Sequence, residues 1–116
     1  MEEKKYETVI VLNSSRFGSG NPRLGESLMK DFLDCLSKAD PKPDALLLYN
    51  TAATLACKDS PVLEEMKKLE ENGIEVFASL ESLMFYGMSE DRQAGGPVNM
   101  DMMVQIMMNA KKVIKP

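Results

Sequence analysis

The residues best suited to chemistry lie in Tyr49-Asn50-Thr51-Ala52-Ala53-Thr54-Leu55-Ala56-Cys57-Lys58-Asp59-Ser60-Pro61, where an apolar run hands over to a helical pattern. Cys57 falls just before the expected helix start with Lys58 beside it, and a helix N-terminus and an ammonium group both favour thiolate over thiol. The sequence contains no histidine, which removes imidazole-activated nucleophiles and histidine metal sites. Any catalysis must run on cysteines, carboxylates, lysines, hydroxyls or a bound cofactor. Two readings of Cys57 stand side by side. It is either a reactive thiol able to carry sulfur as a persulfide or a small buried side chain, a common fate of free cysteine.

The second candidate is the loop Asn13-Ser14-Ser15-Arg16-Phe17-Gly18-Ser19-Gly20-Asn21. It joins an expected strand to an expected helix, so its amides could cradle an anion or a flavin phosphate, but it reads equally as a plain turn. Its glycine spacing is not the dinucleotide G-x-G-x-x-G, and no Gly-Lys-Ser/Thr of a P-loop occurs. The carboxylates Asp40, Asp44, Glu64, Glu65, Glu70 and Glu71 include no pair that sequence places across a cleft, and read as solvated faces. Ten methionines are many for this length. Thioethers can bind Cu(I), yet their helical spacing reads as packing, and neither a metal nor a cofactor is expected.

These groups must be positioned by a regular alternation of elements. Thr8-Val9-Ile10-Val11-Leu12, Ala45-Leu46-Leu47-Leu48-Tyr49 and Ile74-Glu75-Val76-Phe77-Ala78 are short apolar runs of buried parallel strands. Asn21-Pro22 and Ser60-Pro61 each place a capping side chain before a proline at the first helical position. The first helix carries the stripe Leu24, Leu28, Phe32, Cys35 and Leu36, broadened by Met29 and Leu33, which makes Cys35 a core residue. The second carries Val62, Leu63, Met66 and Leu69 and closes at Asn72-Gly73. A short helix over 79–86 stops at Gly87, and Ser89 to Val98 is a loop or weak strand that Pro97 keeps out of a central position. Asn99 caps a last helix with Met100, Met103, Val104 and Met107 on one stripe and Met102 and Ile106 beside it, before a final strand Lys112-Val113-Ile114. That helix is apolar around much of its girth, so a second subunit could cover it.

Such alternation predicts an α/β, flavodoxin-like, doubly wound and mostly parallel sheet of four or five strands with helices on both faces, in a single domain over 1–116. Ligands of that architecture bind beyond the carboxyl ends of the strands, where the loops at Asn13, Asn50 and Ser79 emerge. With 44% hydrophobic and 28% charged residues the composition is that of an ordinary soluble domain. A formal charge of -4 with scattered Lys and Arg argues against nucleic-acid or anionic-membrane partners. The N-terminus is too acidic for a secretory signal, no run approaches the roughly 20 apolar residues of a membrane span, and two cysteines suggest no disulfide framework. A reduced, cytoplasmic protein is expected.

Thr8 to Ser14, the glycine loop, Leu24-Gly25, Leu48-Tyr49-Asn50, Cys57 with Ser60-Pro61-Val62-Leu63, Gly73-Ile74-Glu75-Val76, Tyr86-Gly87, Asn99-Met100 and Lys112-Val113-Ile114 together resemble the DsrE/DsrF-like family. The likeness is greatest to the C-terminal DsrE-like domain of YedF-type sulfurtransferase-like proteins of selenium metabolism, and it runs from Glu7 onward. The resemblance implies a sulfur-relay protein assembled as a trimer or hexamer, in which a cysteine after the third strand accepts sulfur and passes it on. It implies a separate TusA-like sulfur carrier as partner. Where YedF-type members carry Cys-Gly-x-Cys, this sequence has Ser79-Leu80-Glu81-Ser82, with Tyr86-Gly87 kept. A hydroxyl cannot hold a persulfide, so the resemblance implies a non-standard or inactive member unless Cys57 does the work.

The expected site is thus Cys57 as catalytic thiol, with Asn13, Ser14, Ser15, Asn50, Lys58, Ser79, Ser82 and Tyr86 binding substrate. Two other functions compete with sulfur relay. One is an FMN-binding reductase using the Asn13 to Asn21 loop, and the other is a structural oligomeric binding module built on the Met-rich last helix.

Overall fold

The computed structural model describes residues 4–116. In chain order it contains β1 (Tyr6–Leu12), α1 (Pro22–Ser37), β2 (Ala45–Leu48), a 3-10 helix (Asn50–Ala56) and α2 (Leu63–Glu71). These are followed by β3 (Glu75–Ser79), α3 (Leu80–Phe85), a 3-10 turn (Ser89–Asp91), β4 (Gly96–Val98), α4 (Met100–Met108) and β5 (Ala110–Ile114). The strands form one sheet in the order β4-β3-β2-β1-β5, and every pairing is parallel. Val9 faces Ala45 and Leu12 faces Leu48 across β1 and β2, while Leu48 faces Ala78 across β2 and β3. This is the α/β architecture expected of the alternating pattern.

Side chains alternate across a strand, so each apolar run feeds two cores. Ile10, Leu12, Leu46, Leu48, Val76 and Ala78 meet Met29 and Leu33 of α1, Met66 and Leu69 of α2 and Leu83 of α3. Val9, Val11, Ala45 and Leu47 turn the other way, toward Met103 and Ile106 of α4. Helices therefore lie on both faces. β4 sits at an edge, where Pro97 removes no interior ladder bond.

The caps follow the sequence at two helices. Asn21 accepts from the Leu24 N–H at 3.1 Å with Pro22 in the first turn, and Asn99 accepts from the Met102 N–H at 2.9 Å. At α2 the expectation is corrected. The helix begins at Leu63 with no side-chain cap, and Ser60 Oγ accepts from the Val62 N–H at 3.2 Å, inside the preceding turn.

The α1 stripe is also corrected. Its buried line is Gly25, Met29, Leu33 and Ser37, so Met29 and Leu33, expected at the edge of the stripe, form its centre, while Phe32 and Leu36 pack half-buried beside them. Cys35 is exposed, and Leu24 is 57% exposed. Gly25 explains the choice of face. A Cβ there would stand 2.9 Å from Arg16 Cβ, and its carbonyl accepts from the Phe17 N–H at 3.0 Å, so the helix lies directly against the β1–α1 loop. In α4 the buried residues are Met103 and Ile106, whereas Met100 and Val104 face outward. Among the described residues, no helix is long and apolar enough to cross a membrane.

Candidate functional site

Parallel strands deliver their following loops to one rim of the sheet, and at that rim the ends of β2 and β3 meet. Asn50 follows β2 with a φ of +54°, the left-handed region that asparagine tolerates better than most residues. Its N–H donates to Ser82 Oγ at 2.8 Å, and Ser82 Oγ stands 2.9 Å from Ser79 Oγ. Ser79 ends β3 and caps α3 by accepting from the Ser82 N–H at 3.2 Å. Tyr86 Oη closes the set with a 2.6 Å bond to Asn50 Oδ1. Four residues expected at the site, Asn50, Ser79, Ser82 and Tyr86, therefore form one hydrogen-bonded group.

They line a hollow of about 460 Å³, within the size range of small-molecule sites. Tyr49, Glu81, Phe85 and Met100 complete its wall, and sequence reading did not assign these four to the site. Only their adjacency to Asn50, Ser82, Tyr86 and Asn99 could have signalled them. Phe85 is 82% exposed and meets the Tyr86 ring edge-on at 5.2 Å between centroids.

The other expected residues lie elsewhere. Asn13 and Ser14 border a second hollow with Phe17, Gly18 and Met29. Ser15 and Lys58 border a third with Thr54, Ser60 and Asp91. The glycine loop uses its polar groups internally. Ser14 Oγ accepts from the Arg16 N–H at 3.1 Å, and the Ser15 N–H donates to Thr51 Oγ1 at 3.0 Å.

Cys57 is placed differently from the sequence expectation. It ends the 3-10 helix of residues 50–56 instead of preceding α2, its N–H donates to Thr54 O at 3.1 Å, and its side chain is fully buried. The thiol points at two carbonyl oxygens, Ala53 O at 3.7 Å and Met88 O at 3.9 Å. Burial, and then the Asp91 carboxylate, push the thiol up from its ordinary pKa, while the Arg92 guanidinium pulls partly back. A helix start would have stabilised the thiolate, whereas this hydrocarbon-lined end of a helical turn stabilises the thiol. The segment is held from outside by Gln93 N–H and Ala94 N–H, both donating to Ala56 O at 2.8 and 3.0 Å, and by Lys58 N–H donating to Asp91 O at 2.7 Å.

Besides Phe85 and Met100 in the wall of the first hollow, their helices expose further apolar side chains, Leu80 and Met84 on α3 and Met102 and Val104 on α4.

No family model and no curated protein sequence matches the chain. Two solved structures share its fold. The ychN protein from E. coli superimposes with a TM-score of 0.67 at 18% identity, covering 95% of this chain and 98% of that one. A protein of unknown function from Methanobacterium thermoautotrophicum, MTH1491, superimposes with a TM-score of 0.69 at 14% identity, covering 97% of this chain and 100% of that one. At such identities the similarity is one of fold.

Proposed function

We propose that this chain is a DsrE-like protein of the sulfur-relay type, near the YedF group, in which the thiol step has been lost and the pocket binds without carrying sulfur. The observation that carries the reading is the hydroxyl pair Ser79 and Ser82 in the hollow beyond β3, at the position where the resemblance implies cysteines. A serine hydroxyl ionises too weakly to replace a thiolate and cannot hold a persulfide. Cys57, the other thiol that could serve, is buried and held protonated. In this reading Asn50, Ser79, Ser82 and Tyr86 are the binding set, and a TusA-like carrier in the cytoplasm is the partner the relay would use.

The test is mass spectrometry after incubation of the folded protein with inorganic polysulfide. Exposed Cys35 takes up sulfur and Cys57 does not, so Cys35→Ser remains at its original mass. A gain of one sulfur atom on Cys57 in the folded Cys35→Ser protein refutes the reading and restores Cys57 as a sulfur carrier.

A second reading has its own observation. The exposed apolar side chains of α3 and α4 are of the kind buried between subunits, and support a homo-oligomer, trimer or hexamer, built on those helices. Light scattering at micromolar concentration tests it, and a monomer mass rejects it.

A further inference from the structure

The hollow at the ends of β2 and β3 has an unequal supply of protons. Each serine hydroxyl carries one. One of the two lies between Ser79 Oγ and Ser82 Oγ, while those oxygens already accept from the Ser82 N–H and the Asn50 N–H. The other hydroxyl proton has no partner among the described residues, although Ser79 is only 5% exposed. The contact between Asn50 and Tyr86 behaves alike. Whichever way the amide is turned, one proton lies in the 2.6 Å contact, and two of the three that the amide and the phenol share remain unused.

The unused proton of the Ser79–Ser82 pair calls for an acceptor, and those of Asn50 and Tyr86, on exposed residues, meet water until a ligand replaces it. Charge then limits which acceptor fits. Glu81 is the one charged side chain in the lining. Lys115 Nζ stands 5.9 Å from the Tyr49 ring centroid but is outside that lining. An anion would satisfy the donors but meet Glu81 with no counter-charge in the wall. A cation would satisfy Glu81 but turn its own protons toward the serine and amide donors. An uncharged group with an acceptor oxygen beside an N–H satisfies both, since its oxygen takes the protons of Asn50 and the serines while its N–H meets the carboxylate. Tyr49, Phe85 and Met100 offer apolar surface for the body that carries it.

We infer that this pocket binds a planar, uncharged small molecule bearing an amide or lactam edge, read by Asn50, the Ser79–Ser82 pair and Glu81. The inference rests on the pocket being a binding site, as the proposed function holds.

An isosteric series tests it: benzamide, benzoate and benzamidinium, titrated into the full chain and followed by backbone amide chemical shifts. Benzamide shifts the signals of Asn50, Ser82 and Tyr86, and the two charged probes bind at least about tenfold more weakly, the loss expected for one mismatched polar contact. Asn50→Asp replaces the amide donors by an acceptor at a position whose backbone aspartate also tolerates, so benzamidinium should overtake benzamide. Asn50→Gly keeps the left-handed backbone and removes the side chain, so benzamide binding falls by about tenfold or more while the fold persists. Equal binding of all three probes, tighter binding of a charged one to the unsubstituted protein, or indifference to both Asn50 variants overturns the inference. Sulfur on Cys57 refutes the proposed function by a separate readout. A failed benzamide titration with Cys57 free of sulfur refutes this inference alone.

Discussion

Native thiol reactivity offers a quantitative check on the placement of Cys57. For a reagent to reach its sulfur, the end of the 3-10 helix at Leu55 and Ala56 must lift. That movement exposes Leu55, which is 3% exposed in the closed form, at about 1.5–3 kcal/mol. It also breaks the two bonds into Ala56 O, at about 1 kcal/mol each. Freed backbone at the hinge returns about 1–2 kcal/mol. The balance is about 3 kcal/mol, which makes the open form roughly a hundredfold rarer than the closed one, and the raised thiol pKa slows attack further. With an aromatic disulfide reagent near neutral pH, the folded protein should release one fast equivalent from Cys35 and a second roughly a hundredfold more slowly. Cys35→Ser should abolish the fast phase, and denaturant should merge the two. A fast equivalent surviving in folded Cys35→Ser would place the Cys57 sulfur within reach of solvent, and the argument for a passive pocket would fall with it.

Stability should decline in alkali. Burial raises the Cys57 thiol and the Tyr6 phenol, the latter also through Asp44, so the folded chain keeps these protons after the unfolded chain has lost them. Below about pH 8.5 both states are protonated and the slope is flat, while above it the thiol contribution is lost first and the phenol contribution above about pH 10. Melting curves across that range should show the fall, and Cys57→Ala should remove its first part; an unchanged first part in that variant contradicts the assignment. Ser82→Ala leaves the Asn50 N–H without its acceptor and should cost about 1–2 kcal/mol in a denaturant titration, whereas a neutral result would mean that the Asn50 N–H is satisfied without it. Gly95→Ala should be among the costliest small changes, because φ is +73° and the added Cβ would stand 2.9 Å from both the Val76 carbonyl oxygen and its Cγ1. A loss of about 2 kcal/mol or more is expected, and a melting point within error of the parent would refute it.

Most of the architecture could be read from the sequence because the strongest local signals agree with the tertiary ones. The runs at Val9 to Leu12 and Ala45 to Leu48 are buried on both faces of a parallel sheet, and Asn21 and Asn99 cap as asparagine before a helix should. What failed depended on packing partners that periodicity does not contain. The α1 face was set by Gly25 lying on the β1–α1 loop, which turned Cys35 outward. The Ser60-Pro61 signal was spent inside a turn, so α2 started later and Cys57 lost the helix end that would have activated it. At the site, the convergence of Asn50 with Ser79 and Ser82 follows from adjacent parallel strands ending at one rim. Asn13, Ser14, Ser15 and Lys58 border other hollows, a division that strand order alone does not reveal.

The pair of hydroxyls at the rim has a chemical outcome of its own. Two neighbouring alcohols do not couple under peroxide, climb no ladder to sulfinic acid and hold mercurials poorly. Oxidative damage to this protein should thus be written on the outward Cys35 and the exposed thioethers, Met100 at the wall of the hollow among them, leaving the two serines themselves chemically untouched.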